Sequence, residues 1–261
     1  MDETILSGDL RLSAHVATPS VPGPGLGLVV CHGLPNPPRG AATVGTTYPD
    51  LADRIAAEAG WAVLTFNFRG TGTSEGDFSA RGWLDDLRNA VRALRARPEV
   101  RGVWVAGFGH GGTFAVCEAA DDHLVRGVAT IASPSTLRDW AQDPGRLLVH
   151  TRSMGMIRTA GFPTDATGWV RDIGRIDAVA AAARLDRRPL LVLHGVEDVE
   201  VPLDDARALA DAGRPNSELR VVQGAGHRLR HDPRAIATLL GWLARQVPSG
   251  APADVPIDQP T

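Results

Sequence analysis

Residues 103–112 read Val103-Trp104-Val105-Ala106-Gly107-Phe108-Gly109-His110-Gly111-Gly112, and this stretch decides the fold. The apolar residues at its start are typical of a strand that is buried on both faces. The alternating glycines after them are typical of a sharp turn, because glycine adopts backbone angles that other residues avoid. Helical composition then continues to about residue 120. The stretch predicts a strand, a sharp turn centred on Gly109 and a helix in direct succession.

The same order of strand and helix recurs along the chain. Apolar runs of strand length are followed, after short connections, by segments with helical periodicity, which is the pattern of parallel βαβ units. Strands are predicted at residues 26–31, 61–66, 102–106, 125–131, 189–194 and 218–222, after an opening hairpin at 4–16, and helices at 49–59, 83–96, 111–120, 177–185, 203–212 and 233–246. We therefore expect a single α/β domain over residues 1–247.

Two segments depart from this pattern. Residues 135–176 contain helical fragments without an intervening strand, which favours a small helical cap inserted over the sheet. This segment carries four large apolar side chains, Trp140, Met154, Met156 and Trp169. They favour a small, largely apolar ligand for the pocket, although Met and Trp side chains on helices serve packing more often than recognition. Residues 248–261 are rich in Pro, Ala and Asp, and we expect a disordered tail there.

The composition argues against several classes of protein. The chain of 261 residues has a formal net charge of -3, whereas nucleic-acid and anionic-membrane surfaces need concentrated positive charge. All 27 basic residues are Arg, so no lysine can form a Schiff base. Cys31 and Cys117 are not spaced as metal ligands, and we expect no metal and no other cofactor. The N-terminus lacks a signal-peptide pattern and no apolar run reaches about 18 residues, so we expect a cytoplasmic protein.

Polar motifs stand where the predicted strands end. They are His32-Gly33, the loop 67–72, the turn at Gly109 and the segments 194–202 and 224–227. Open α/β sheets bind ligands outside the carboxyl ends of their strands. We therefore expect these motifs to meet at one edge of the sheet and to bind a small-molecule ligand or substrate.

On these motifs the chain resembles the α/β-hydrolase superfamily, in particular its small esterases and dienelactone-hydrolase-like members. The resemblance implies a mostly parallel eight-stranded sheet flanked by helices, with a small helical cap. In this superfamily the sharp turn carries a serine nucleophile in the motif G-x-S-x-G, and an acid and a histidine follow along the chain. The matching positions here are Gly109, Asp198 and His227, so a glycine replaces the nucleophile. Glu197 and Glu200 are fallback acids, which we interpret as solvated loop charges.

The resemblance also implies an oxyanion hole, a pair of backbone N–H groups that bind developing negative charge. The donors would be the N–H groups of Leu34 and His110, while the imidazole of His110 would point towards the packing of sheet and helix. Neither donor depends on the side chain at position 109. Four further residues would support the site by shaping its loops, namely His32, Gly33, Gly107 and Gly111.

No other side chain is expected to replace the missing serine hydroxyl. Cys31 lies inside an apolar strand, Ser133 follows the next strand along, and Thr73 and Ser74 lie in the loop after the second core strand. A nucleophile must come within about 3 Å of the histidine that activates it. A covalent acyl-enzyme is therefore not expected.

Three hypotheses about function follow. In the first, the protein is a degenerate hydrolase that keeps a ligand pocket without serine catalysis. In the second, Asp198 and His227 form a general-base pair that activates water or takes a proton from the substrate, as in a hydrolase, a lyase or an isomerase. In the third, Gly109 stands in place of the serine of an active esterase, which the Gly109→Ser form would restore.

Overall fold

The structure is a computed structural model that describes residues 1–21, 23–36 and 40–248. The predicted tail therefore lies, apart from Pro248, outside the described residues. Within the described residues, no helix combines the length and the apolar character that a membrane span requires.

Eight strands in the described part of the chain form one sheet, in the order β1-β2-β4-β3-β5-β6-β7-β8. The strands are β1 (Asp2–Ser7), β2 (Leu10–Ala17), β3 (Leu26–Cys31), β4 (Ala62–Phe66), β5 (Gly102–Phe108), β6 (Val125–Ile131), β7 (Leu190–Gly195) and β8 (Ser217–Val222). The pairs β1–β2 and β2–β4 are antiparallel, and the other neighbours are parallel. The predicted mostly parallel eight-stranded sheet is confirmed.

Helices cover both faces of this sheet, and their packing explains the apolar runs in the sequence. The helices are α1 (Gly40–Thr43), α2 (Tyr48–Ala59), α3 (Ala80–Arg95), α4 (His110–Asp121), α5 (Arg138–Gln142), α6 (Pro144–Ser153), α7 (Ala166–Gly174), α8 (Ala178–Ala182), α9 (Leu203–Ala212) and α10 (Pro233–Ala244). α2 and α10 share one apolar core with the sheet, whereas α3, α4, α8 and α9 share the other. β3, β4, β5 and β7 are consequently buried at every position.

Residues 135–176, for which the sequence predicts a cap, contain α5, α6 and α7 between β6 and α8. The apolar side chains of this segment do not all face a ligand. Met156 and Trp169 are buried in the core, where the indole of Trp169 donates to the carbonyl of Phe78 at 3.1 Å. Met154 packs against the same core. Of the four, Trp140 lines the cavity at the strand ends, so the prediction of a largely apolar ligand loses most of its support.

Candidate active site

Gly109 lies at the apex of the turn between β5 and α4, as predicted. Its backbone angles are φ 53° and ψ −133°, a conformation that strains any residue with a side chain. A hydrogen bond of 2.9 Å from its N–H to the carbonyl of Ile131 holds the turn to β6. The turn therefore keeps the shape that presents a nucleophile, although the residue at its apex has no side chain.

The glycines around this turn allow three backbone segments to pack closely. A Cβ added at Gly107 would lie 2.4 Å from the backbone of Gly111, and one added at Gly111 would lie 2.3 Å from the carbonyl oxygen of His32. A Cβ at Gly33 would lie 2.8 Å from the carbonyl oxygen of Phe108. The loop after β3 is therefore seated directly against the turn, as the site-supporting glycines predicted.

The position of the missing side chain at Gly109 faces His227. A Cβ added at Gly109 would lie 3.8 Å from Nε2 of His227 and 3.8 Å from Cα of Gly33, which are ordinary van der Waals distances. A hydroxyl one bond beyond this Cβ would come within hydrogen-bond reach of Nε2. The space for a serine is thus present, beside the nitrogen that would activate it.

Asp198 and His227 form the predicted pair. Nδ1 of His227 donates to Oδ2 of Asp198 at 3.0 Å. Oδ1 of Asp198 accepts hydrogen bonds of 2.9 Å from the N–H groups of Glu200 and Val201, and its side chain is fully buried. The loop after β7 therefore fixes the carboxylate, which in turn orients the imidazole.

The two members of the pair shift each other's pKa values. Burial alone would lower the pKa of His227, but the hydrogen bond and charge of Asp198, together with Glu200, outweigh it and raise the pKa. Burial alone would raise the pKa of Asp198, but the hydrogen bonds from His227 and from the N–H groups of Val201 and Glu200 outweigh it and lower the pKa. The pair thus favours a charged imidazolium beside a carboxylate.

Two further residues lie beside this pair: His194, which was not predicted, and Glu200, which the sequence offered only as a fallback acid. Nε2 of the buried His194 donates to the carbonyl of Val201 at 3.0 Å and lies 3.6 Å from Oδ2 of Asp198, so it supports the acid loop. Oε2 of Glu200 lies 3.8 Å from Nε2 of His227 and accepts a hydrogen bond of 2.9 Å from Asn36. Glu200 therefore lies beside the site, and its side chain is 44% exposed, as for a solvated loop charge. The position of Glu200 two residues after Asp198 was the feature of the sequence that could have indicated its place beside the site.

The predicted oxyanion-hole donors lie on both sides of the turn. Leu34 is buried and follows Gly33, and the N–H of His110 opens α4, where the helix dipole favours negative charge. Among the described residues, neither N–H donates to a carbonyl or a side chain. Both donors are thus available to a ligand.

Two histidines near these donors are neutral at ordinary pH. Burial lowers the pKa of His32 to about 4, and its ring accepts from the N–H of Phe68 at 3.3 Å and donates to the carbonyl of Gly33 at 2.8 Å. Burial, together with the charges of His227 and His150, lowers the pKa of His110 to about 3. His110 is half-buried and is one of the residues that line the cavity.

The four residues considered as substitute nucleophiles do not line the cavity. The thiol of Cys31 is buried inside β3 near the carbonyl oxygens of Ala106 and Gly111, and burial raises its pKa. The hydroxyl of Ser74 is buried and donates to the carbonyl of Asn67 at 2.6 Å. These positions agree with the expectation that no side chain among the four replaces the serine.

The cavity above Gly109 has a volume of about 810 Å³. Its wall contains charged and polar side chains as well as apolar ones: Asn36, Tyr48, His110, Thr136, Asp139, Trp140, Arg146, Glu200, Asp205, His227, Arg228, Arg230 and His231. In the described part of the chain, no cluster of three or more His, Cys, Asp or Glu side chains is placed to hold a metal ion.

Comparison with known proteins places this geometry in a family. A family model described as the alpha/beta hydrolase fold matches residues 28–169. The uncharacterized protein YfhR of Salmonella typhimurium (strain LT2) is 30% identical over 167 residues, which are 62% of this chain and 53% of that protein. The chain thus spans about half the length of this relative.

Solved structures share the fold at low sequence identity. An esterase from Pyrococcus furiosus superposes with a TM-score of 0.69 and 18% identity, over 95% of this chain and 91% of that one. Est1E from Butyrivibrio proteoclasticus with bound ferulic acid superposes with a TM-score of 0.71 and 17% identity, over 93% of this chain and 96% of that one. Since the family model covers more than half of the chain and the sheet topology agrees with it, the chain belongs to the α/β-hydrolase fold family.

Proposed function

We propose that this protein is a degenerate hydrolase that binds a small ligand above Gly109 and forms no covalent acyl-enzyme. The observation that carries the proposal is an intact pair of Asp198 and His227 that faces a glycine. Among the described residues, Nε2 of His227 has no hydrogen bond to a hydroxyl or a thiol, and its nearest charged group is Glu200. The cavity of about 810 Å³ and the two free N–H groups supply room and polar anchors for a ligand.

A second candidate is general-base catalysis, which the burial of Asp198 behind His227 favours. In this reaction Nε2 of His227 would take a proton from water or from the substrate, Asp198 would stabilise the imidazolium, and the N–H groups of Leu34 and His110 would bind the developing anion. Such assistance is worth roughly 10² to 10⁴ in rate. The raised pKa of His227 makes its neutral ring a stronger base and shifts the population of that neutral form to higher pH. Ligand binding is the first choice because it needs only the cavity and its polar anchors, without a catalytic step.

A fluorophosphonate probe and short nitrophenyl esters separate these candidates. We expect no labelling of the protein and no ester turnover that depends on His227. Labelling would contradict the proposal. Turnover without labelling that disappears in the His227→Ala variant would establish the second candidate. Its rate would then rise with pH through a midpoint above the ordinary pKa of histidine, and Asp198→Asn would lower that midpoint.

Binding is tested with N-phenylnaphthylamine, an uncharged probe whose fluorescence increases when it leaves water. The ring signal of His227, assigned by comparison with the His227→Gln variant, reports by NMR on the site itself. We expect saturable binding of one probe molecule that shifts this signal. Saturation that leaves the signal of His227 unchanged, or an absence of saturable binding both of this probe and of its anionic analogue described below, would overturn the proposal.

A further inference from the structure

Three arginines line the cavity above Gly109, and each is without a carboxylate partner among the described residues. They are Arg146, Arg228 and Arg230. Within the described residues, none of the three lies within 4.0 Å of a carboxylate oxygen. Guanidinium groups prefer to donate to carboxylates or phosphates, so a cavity with three uncompensated ones favours an anion.

Arg230 is held in one orientation by its neighbours. Its Cζ lies 4.7 Å from the centre of the ring of Tyr48, and its Nη2 lies 2.9 Å from Nε2 of His231. Tyr48 is buried and packs edge-on against Phe108, the residue before Gly109, with ring centres 5.7 Å apart. Burial raises the pKa of Tyr48 to about 12, which keeps its phenol neutral beneath the cation. The guanidinium is thus fixed one aromatic ring away from the turn, in the wall of the cavity.

The other two arginines enter the cavity wall from different parts of the chain. Arg146 belongs to α6, and its Cζ lies 5.2 Å from the centre of the ring of Trp140. Stacking on an aromatic face leaves the in-plane N–H groups of a guanidinium available. Arg228 follows His227 directly and opposes its protonation. Positive charge therefore reaches the cavity from the inserted helices and from the loop that carries His227.

Carboxylates also line the cavity, and their positions indicate how an anion would be oriented. Glu200 lies beside Nε2 of His227 and is held by Asn36, and Asp205 accepts from the hydroxyl of Ser135 at 2.7 Å. Asp139 lies in the first turn of α5. An acid group near His227 would meet the negative charge of Glu200. The same group at Arg230 would meet a cation that has no carboxylate partner among the described residues.

We infer that the ligand is a small organic anion whose acid group binds Arg230, with Arg146 and Arg228 adding positive charge, while its uncharged part lies over Gly109 and His227. This inference rests on the proposed ligand-binding function and names the chemical class of the ligand.

Two probes of nearly the same shape test the charge preference. Anilinonaphthalene sulfonate carries one negative charge, and N-phenylnaphthylamine has the same two ring systems without it. We expect the sulfonate to bind more tightly at low salt, and Arg230→Gln to weaken its binding about ten- to a hundredfold, because charge-assisted hydrogen bonds contribute in that range. Binding of the uncharged probe should stay unchanged in this variant. Arg230→Lys, which keeps the charge, should retain part of the affinity for the sulfonate.

A matched control variant and the NMR signal of His227 distinguish a failure of the anion inference from a failure of the binding function. Arg220→Gln removes a cation on β8, outside the cavity wall, and should affect neither probe. If both probes bind equally and shift the His227 signal, or if Arg230→Gln weakens both alike, the anion inference is overturned while the binding function stands. If neither probe binds at His227, the binding function and the inference both fail.

Discussion

At the scale of single residues, the glycine at position 109 affects the stability of the turn as well as its chemistry. The backbone angles there cost a residue with a side chain about 1–3 kcal/mol, and glycine avoids that strain. A serine hydrolase needs the strained residue because its hydroxyl must face the histidine. A protein that does not use this hydroxyl would gain stability from a glycine at the position.

Gly109→Ser is expected to lower the free energy of unfolding by about 1–3 kcal/mol and to create a serine that reacts with a fluorophosphonate. The loss of stability follows from the positive φ, and the reactivity follows from the 3.8 Å between the new Cβ and Nε2 of His227. Urea unfolding measures the first effect, and labelling followed by mass spectrometry measures the second.

Gly155→Ser is the matched control for this variant. Gly155 also has a positive φ, 78°, and a Cβ there would meet no atom within 4 Å. This variant should lose stability without becoming reactive. An unchanged stability of Gly109→Ser, or equal labelling of the two variants, would contradict the placement of Gly109 at a strained catalytic turn.

Residues were predictable where a motif places them directly after a strand. Asp198, His227 and Gly109 were predicted from the resemblance to the α/β-hydrolases, at positions that follow predicted strands. Asn36 was not associated with Glu200, because 164 residues separate them along the chain. No local pattern carries information on such a contact.

At the scale of elements, strands were predicted more accurately than helices. Buried parallel strands are recognisable in the sequence because they consist of continuous apolar residues. The observed strands β3 and β6 have the predicted bounds. The predicted helix at 177–185 is shorter, because Leu185 bonds back to Ala182 in a tighter turn after α8 ends. The short helices α5 and α6 pack mainly through tertiary contacts, so the sequence indicated helical fragments without their bounds.

Helix α3 depends on Ser79 for its start. The hydroxyl of Ser79 accepts a hydrogen bond of 3.1 Å from the N–H of Gly82, which has no partner within the helix. Ser79→Ala should therefore lower the free energy of unfolding by about 1 kcal/mol, as measured by urea titration. Ser79→Asp keeps an acceptor oxygen and should retain most of the stability. Equal losses in the two variants would show that the cap does not stabilise α3.

At the scale of the whole molecule, one buried ion pair joins the hairpin edge of the sheet to the helical layer. Oδ1 of Asp86, on α3, accepts from Nη2 of Arg69 at 2.7 Å, and Asp86 also accepts from the backbone N–H of Arg69. Nη2 of Arg69 donates to Ser7 at the end of β1 as well. The side chain of Asp86 is fully buried. Removal of this carboxylate would leave an uncompensated guanidinium inside the fold.

Asp86→Ala should lower the free energy of unfolding by about 3–5 kcal/mol, because it breaks a buried pair from one side. Its neighbour Asp85 supplies the control, since its side chain is 42% exposed and it pairs with Arg88 near the surface. Asp85→Ala should cost about 0–1 kcal/mol. Denaturant unfolding of both variants measures the difference, and equal losses would show that the pair with Arg69 does not join the layers.

The order of strands and helices and the sharp turn at Gly109 follow from local composition and periodicity in the sequence alone. Asp198 and His227 were identified as partners of this turn through the resemblance of the sequence motifs to the α/β-hydrolases. The tertiary structure alone decided what surrounds them, namely the carboxylate of Glu200 at Nε2 of His227 and the arginines of the cavity wall. These charged residues are far apart along the chain and come together only because the carboxyl ends of the strands lie at one edge of the sheet and form one cavity. No single segment of the sequence therefore carries information on their contacts.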